Sequence, residues 1–378
     1  MVESIFSWAE QRRAGFVALL RDLVEIESPS GDAEAVQAVA DRLGRELEDV
    51  GLRLDPFPVP GAGPILRARS DAPGRPVMLL GHLDTVWPKG TLARRPVAID
   101  GEVLRGPGSF DMKGGLVVAV SALAALEARG PLPPVTAFFT PLEEVGGDAY
   151  RDVMEAEMKA SAAVLDFEPA WPGGAVKTSR KGAGSFTLTA IGRASHAGAD
   201  FWKGANAVLE LARRCLEASA LTDLGRGVTV NVGVIRGGLR SNVVPDRAEA
   251  EIDVRYAALE DGRRVEEALR RLRSEDAAVT LRVTGRLSYP PLERGPHVLA
   301  VYERARRLAA RIGLDLAEAA TGGASEASFA AALGIPTLDG LGPDGDGAHA
   351  EDEHVRLASL VPRVAIAAAL VAELAGAG

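Results

Sequence analysis

The stretch Val77 to Val86, VMLLGHLDTV, decides the fold. It opens as an unbroken apolar run between Pro76 and Gly81. Such a run suits a strand buried on both faces of a mostly parallel sheet. It closes on His82 and Asp84, which share one side of an extended backbone. Open α/β sheets bind ligands beyond the carboxyl ends of their strands. A carboxylate beside a histidine fixes its tautomer and frees the other ring nitrogen for a metal. A strand end capped by two exposed polar residues fits these letters equally well, so the rest of the chain must decide.

Upstream, residues 1 to 50 read as two helices, Ile5 to Ile26 and a second that follows the cap-rich Ser28-Pro29-Ser30-Gly31-Asp32 and ends near Val50. Strands are expected at Leu52 to Pro56 and Ile65 to Arg69. Downstream come a long Pro/Gly-rich loop with short strands (Trp87 to Gly108), an apolar helix (Gly114 to Ala128), a buried strand (Val135 to Pro141), a helix (Ala149 to Lys159) and a third buried strand (Ala162 to Phe167). Strand alternating with helix implies an α/β domain with a mostly parallel sheet. Near Gly182 the pattern changes. Strand Ser185 to Ile191, helix Ala205 to Ala218, strands Val228 to Ile235 and Arg247 to Tyr256, helix Leu259 to Arg273 and strand Ala278 to Thr284 follow the order of a ferredoxin-like split βαβ unit. The chain then returns to apolar helices and short runs. The expectation is a catalytic α/β domain (1–181 and 291–378) interrupted by a small α+β domain (182–290).

Composition narrows the function. A chain of 378 residues exceeds one ordinary core. A net charge of −9 and a pI near 5.3 argue against nucleic acid or an anionic membrane as the main partner. The lone Cys215 permits no intrachain disulfide or thiolate metal site and falls in a helical apolar stripe, so it reads as core. Nothing approaches an apolar span of about 20 residues, so no membrane helix is expected. The N-terminus carries early acids without a long apolar stretch and does not read as a signal peptide, which makes the cytoplasm the default.

Four more polar clusters follow His82 and Asp84. Asp111 lies in RGPGSFDMKGG at a helix entry, where a capping acid is the ordinary role. Gly106 and Gly108 there hint at a dinucleotide turn, but Asp111 replaces the third glycine and no strand directly precedes the loop. Glu143 and Glu144 follow the second buried strand. On an extended backbone they face different ways, so one can bind a metal while the other faces a water. Asp166 and Glu168 flank Phe167 at the next strand end, and His349 sits in the Gly/Asp-rich GPDGDGAHAEDEH. Each cluster alone reads as ordinary loop polarity. Together they offer nitrogen and oxygen donors suited to zinc, cobalt or manganese.

HLDTV, GPGSFDMKGG, LEEVGG, DFEP and GAHAEDE, in this order around a split-βαβ insertion, resemble the dizinc aminoacylase and glutamate carboxypeptidase (carboxypeptidase G) family. Acetylornithine deacetylase and succinyl-diaminopimelate desuccinylase belong to it as well. The resemblance implies two zinc ions bridged by Asp111, one completed by His82 and Glu168 and the other by Glu144 and His349. Asp84 would orient His82, and Glu143 would be the general base and then the acid. Glu at 168 follows the glutamate carboxypeptidase branch, which leaves Asp166 with ordinary loop acidity. In the insertion, Ser195-His196-Ala197-Gly198 resembles the family's SHAG motif, whose histidine stabilises the oxyanion in the partner subunit's site. The resemblance thus implies a homodimer through the inserted lid domain. Asn242 matches an asparagine near the substrate, and Arg286 matches an arginine that grips a substrate carboxylate, for which a planar guanidinium is suited.

One departure touches the substrate. Thr321-Gly322-Gly323-Ala324-Ser325-Glu326 stands where a GGTDA-like run is expected, with Ser325-Glu326 for Thr-Asp. In the family this loop, Gly322 and Gly323 included, lies near the substrate carboxylate. The expected activity is zinc-dependent cleavage of an amide next to a free α-carboxylate, on a small N-acyl amino acid or peptide. A carboxypeptidase releasing C-terminal glutamate competes with a deacylase of apolar N-acyl amino acids. An inactive metal-binding homologue is a third reading, but it would not require Glu143.

Overall fold

In the computed structural model, which describes residues 1–376, the strand Val77–His82 lies inside a seven-stranded sheet and is buried at every position. Its neighbours Val135–Thr140 and Ala163–Asp166 run parallel to it, and Thr337–Leu338 continues the parallel part. Gly63–Arg69 joins antiparallel on the far side of Val135–Thr140 and carries the short strands Arg53–Leu54 and Phe57–Val59. His82 stands opposite Thr140, and Leu80 opposite Asp166. The three buried strands therefore end together, and the loops that leave them share one edge. Helices Val2–Val24, Ala33–Asp49, Gly114–Glu127 and Leu360–Ala375 contribute to the same core cluster as these strands.

Two helical stretches, Ser109–Glu127 and Leu357–Ala375, are long and apolar enough to cross a membrane, contrary to the sequence expectation. They are 89% and 67% buried within the protein, which makes them core helices. A small four-stranded sheet joins Ala98–Asp100 and Val103–Arg105, short strands of the kind expected in the Trp87 to Gly108 loop, to Gly345–Asp346 and His354–Arg356, which have no counterpart in the sequence reading. Its strands are too short for alternation to show. It ties the His349 loop to the segment that precedes Asp111.

The second compact unit comprises Arg180–Glu293 and Thr321–Ala324, and the first takes the remainder. The second holds a four-stranded antiparallel sheet in the order Thr229–Gly237, Arg247–Tyr256, Gly182–Ile191, Thr280–Tyr289. Helices Ala207–Ser219 and Leu259–Arg271 complete a ferredoxin-like arrangement with its own core of Phe186, Leu188, Leu211, Cys215, Ile252, Val254 and Leu269. Its last strand runs past the expected end at Thr284 because Gly285 (φ +103°) does not break it. A Cβ there would lie 2.1 Å from the Ser185 carbonyl oxygen, so only glycine admits the close pairing.

Gly115 sets how closely the central helix approaches the sheet. A Cβ at Gly115 would lie 1.8 Å from the Phe167 carbonyl oxygen, next to Glu168. Gly115→Ala should lose about 3 kcal/mol, at the upper end of overpacking costs. Gly15, with open space where its Cβ would point, lies inside the first helix. Gly15→Ala should instead gain about 0.5–1 kcal/mol. Denaturant midpoints at unchanged m-value check both signs.

Candidate metal centre

Asp111 stands at the middle of the site on the turn Ser109–Lys113, which opens the central helix. Its Oδ1 is 3.2 Å from His82 Nε2, and its Oδ2 is 3.3 Å from His349 Nε2. Glu168 Oε1 lies 3.4 Å from His82 Nε2, and Glu144 Oε2 lies 3.0 Å from His349 Nε2. One carboxylate thus divides its oxygens between two histidine–glutamate pairs. Ligating atoms of His82, Asp111 and Glu144 all fall within 4.8 Å of one another, as do those of His82, Glu143 and Glu168. Glu144 Oε1 is buried without a hydrogen-bond partner. A buried orphan acceptor beside carboxylate and imidazole donors fits a divalent cation.

His82 is 2% exposed, and its Nδ1 lies 2.9 Å from the main-chain carbonyl of Asp84. Donation there leaves the Nε2 lone pair facing the cluster. The Asp84 carboxylate, expected to orient the ring, is farther away, with Oδ1 at 3.5 Å. It accepts instead from the Ser30 hydroxyl at 2.6 Å and from the N–H groups of Glu143 and Glu144 at 3.1 and 3.3 Å. Those two glutamates lie on a single 3₁₀ turn, Glu143–Val145, and not on the extended backbone the sequence suggested. With about three residues per turn they still diverge.

One expectation changes. Asp166 is not a loop acid: it ends its strand, is 2% exposed and accepts from the Ser325 hydroxyl. Ser325 and Glu326, expected near a substrate carboxylate, are buried in the catalytic unit. Gly322 and Gly323 are exposed and belong to the other unit, where Arg180 donates to the Ala324 carbonyl. In that unit His196 and Asn242 are neighbours. The strand pair Ser195–His196 and Val243–Val244, together with an Ala197 N–H bond to the Asn242 carbonyl, holds them side by side. His196 is exposed, and its Nδ1 accepts from the N–H groups of Gly198 and Ala199. The neutral ring therefore carries its proton on Nε2. Arg286 is exposed on the last strand, opposite Ser185.

The sequence pattern of peptidase family M20/M25/M40 matches residues 78–373. The chain belongs to this family. It is 31% identical to carboxypeptidase G2 of Pseudomonas sp. (strain RS-16), over 99% of this chain and 92% of that protein. Its fold is like that of the aminopeptidase PepT from Bacillus cereus (TM-score 0.76, 20% identity, 96% and 99% of the two chains). It is also like that of an M20 metallo-carboxypeptidase from Sulfolobus solfataricus (TM-score 0.74, 17% identity, 95% and 99%). The protein is a metallopeptidase of the M20 class.

Two residues of this M20 site escaped the sequence reading. Glu353 sits in an acidic run whose other members are exposed, yet it is wholly buried. Its carboxylate accepts from the Trp87 indole and from the N–H groups of Gly108, Phe110 and Asp111. Ser30 looked like part of a helix cap but binds Asp84. Neither role leaves a mark on spacing, because the partners are main-chain groups or lie far off in sequence.

Burial presses His82 toward its neutral form, but the surrounding carboxylates of Asp111, Asp84 and Glu168 outweigh it and raise its pKa well above the ordinary value. His349 is raised to about 10 by Asp111 and Glu144. Burial pushes Asp111 up, while His349 and His82 more than compensate and hold it below the usual carboxylate range. Burial raises Glu143 strongly, with His82 opposing and Glu168, Glu326 and Glu144 adding to it. At pH 7 the metal-free site therefore holds two imidazolium cations among its acids. A metal needs neutral rings and ionised carboxyls, so zinc titration at pH 7 should release protons, and affinity should rise with pH through the His349 range near 10. Calorimetry in buffers of different ionisation enthalpy measures this, and no proton release would remove both histidines from the metal site.

Proposed function

We propose that this M20 metallopeptidase holds two zinc ions on Asp111, with His82 and Glu168 at one and Glu144 and His349 at the other. It then cleaves an amide next to a free α-carboxylate, releasing C-terminal glutamate or a similar residue from N-acyl, aroyl or peptidyl conjugates. The observation that carries the reading is the division of the Asp111 oxygens between two histidine–glutamate pairs. Cobalt or manganese suits the same donors. A bound metal pair supplies a water that ionises near neutral pH and polarises the scissile carbonyl.

Glu143 is the proton carrier. As a carboxylate it would take the proton from the attacking water, and burial, which raises its pKa, would let it hold that proton until it passes to the leaving nitrogen. Asp84 holds Glu143 in place through the main-chain N–H. His196, with its proton on Nε2, donates to the carbonyl oxygen as that oxygen becomes negative. By resemblance it acts in the site of a second copy, and Asn242 beside it faces the same substrate. Exposed Phe201, Trp202, Leu209 and Leu239 on the inserted unit suit burial in such a homodimer. Arg286 binds the substrate's α-carboxylate. Glu at position 168, Arg286 and the whole-length likeness to carboxypeptidase G2 favour glutamate release over deacylation of apolar amino acids. The single buried cysteine accords with a cytoplasmic setting.

Amine release from a panel of N-acyl and N-aroyl amino acids, with zinc-loaded and chelator-stripped protein side by side, tests this. Zinc-dependent release from glutamate conjugates is expected, with Glu143→Ala keeping its metals and losing at least about 1000-fold in kcat. Release from apolar conjugates alone would move the protein to the aminoacylase side. Full activity of Glu143→Ala would remove that residue from the chemistry.

A further inference from the structure

Glu326 is 3% exposed, opens the short helix Ala327–Ala332 and takes no part in the metal cluster. Its Oε2 accepts from the Thr140 hydroxyl at 2.9 Å, and its Oε1 accepts from the Tyr150 hydroxyl at 2.6 Å. Thr140 is the last residue of its strand, opposite His82. Tyr150 is 1% exposed and caps the following helix Arg151–Ala160. Between them runs the loop that carries Glu143 and Glu144. One buried carboxylate thus binds both ends of that loop.

The loop closes tightly on this clasp. A Cβ at Gly147 would lie 2.6 Å from the Tyr150 hydroxyl and 2.8 Å from Glu326 Oε1. The middle of the loop is held separately, by Asp84 at the N–H groups of Glu143 and Glu144. Pro141 is buried, whereas Val145 at the tip is 69% exposed. Apolar packing therefore does little to fix the tip. Its position depends on the two polar anchors, and such a segment opens readily when one is removed.

We infer that Glu326 is a positioning residue for the general base: by tying Thr140 to Tyr150 it fixes where Glu143 stands beside the metal pair. This rests on the reading of Glu143 as the base. It also gives the Ser325-Glu326 departure a function inside the catalytic unit instead of at the substrate carboxylate. Burial raises the Glu326 carboxyl to about 7, against the opposing bonds from Tyr150 and Thr140. When the carboxyl is protonated, one of its oxygens donates to a hydroxyl that then acts as acceptor, so both ties persist with one of them reversed.

Tyr150→Phe tests this with the ring kept and one tie removed, and Glu326→Leu removes both ties. Zinc-loaded Tyr150→Phe should lose about 10- to 100-fold in kcat. KM should stay within about threefold, with zinc stoichiometry and the number of protons released unchanged. In the metal-free protein, the amides of residues 142–149 should exchange about tenfold faster than in the parent. Glu326→Leu should show the larger form of both effects. Should it fail to fold, Tyr150→Phe decides alone. A Tyr150→Phe protein with kcat within about twofold of the parent and unchanged exchange in 142–149 overturns the inference. So does a loss of kcat that follows loss of zinc alone. Glu143→Gln separates the two readings: if it is inactive while Tyr150→Phe is unaffected, only the clasp is wrong. If Glu143→Gln is active, the base assignment is wrong, and the exchange rates still decide whether the clasp holds the loop.

Discussion

Everything in the catalytic unit serves one carboxylate, Asp111, whose two oxygens stand at hydrogen-bond distance from two imidazoles, His82 at a strand end and His349 on a loop. Bringing His82, Glu144, Glu168 and His349 around it concentrates negative charge in a largely buried space. Without compensation that arrangement is costly. In the metal-free protein the two histidines compensate by holding protons. In the metal-loaded protein the cations would take over. The site is thus built around a positive charge that the fold itself does not supply, and this couples metal affinity to pH.

The loops around Asp111 are held by carboxylates that are not themselves placed as ligands. Asp84 accepts the N–H groups of Glu143 and Glu144, and Glu353 accepts those of Gly108, Phe110 and Asp111. Glu326 binds hydroxyls at the two ends of the base loop. Each is at most 3% exposed. A buried acceptor that satisfies main-chain donors fixes a loop more firmly than surface packing can, because every broken bond leaves an unpaired buried group. The result is a rigid frame behind a charged centre, as chemistry that depends on sub-ångström placement requires.

Much of this was legible in the sequence, for identifiable reasons. The runs Val77–Leu80, Val135–Phe139 and Ala163–Leu165 are apolar but for Thr136, so a buried parallel sheet was the economical reading. The polar residues at their ends then had only one edge to occupy. The ferredoxin-like insertion showed in the alternation of Ser185–Ile191 and Arg247–Tyr256. What was not legible had no local signature. Glu353 and Glu351 are the same letter two positions apart, and only the tertiary pairing of Val103–Arg105 with His354–Arg356 buries one of them. Gly285 looked like a strand end, whereas its missing side chain is what lets the strand continue. The Ser325-Glu326 pair was read by position in a motif, and nothing local in the letters showed its burial at a helix start.

The most direct measurement is anomalous diffraction at the zinc edge from crystals of the zinc-loaded protein. The account predicts two peaks about 3.5 Å apart, the spacing of a carboxylate-bridged pair, one beside His82 and Glu168 and the other beside Glu144 and His349, with Asp111 between them. A single peak under zinc saturation, or two peaks that do not flank Asp111, would contradict it.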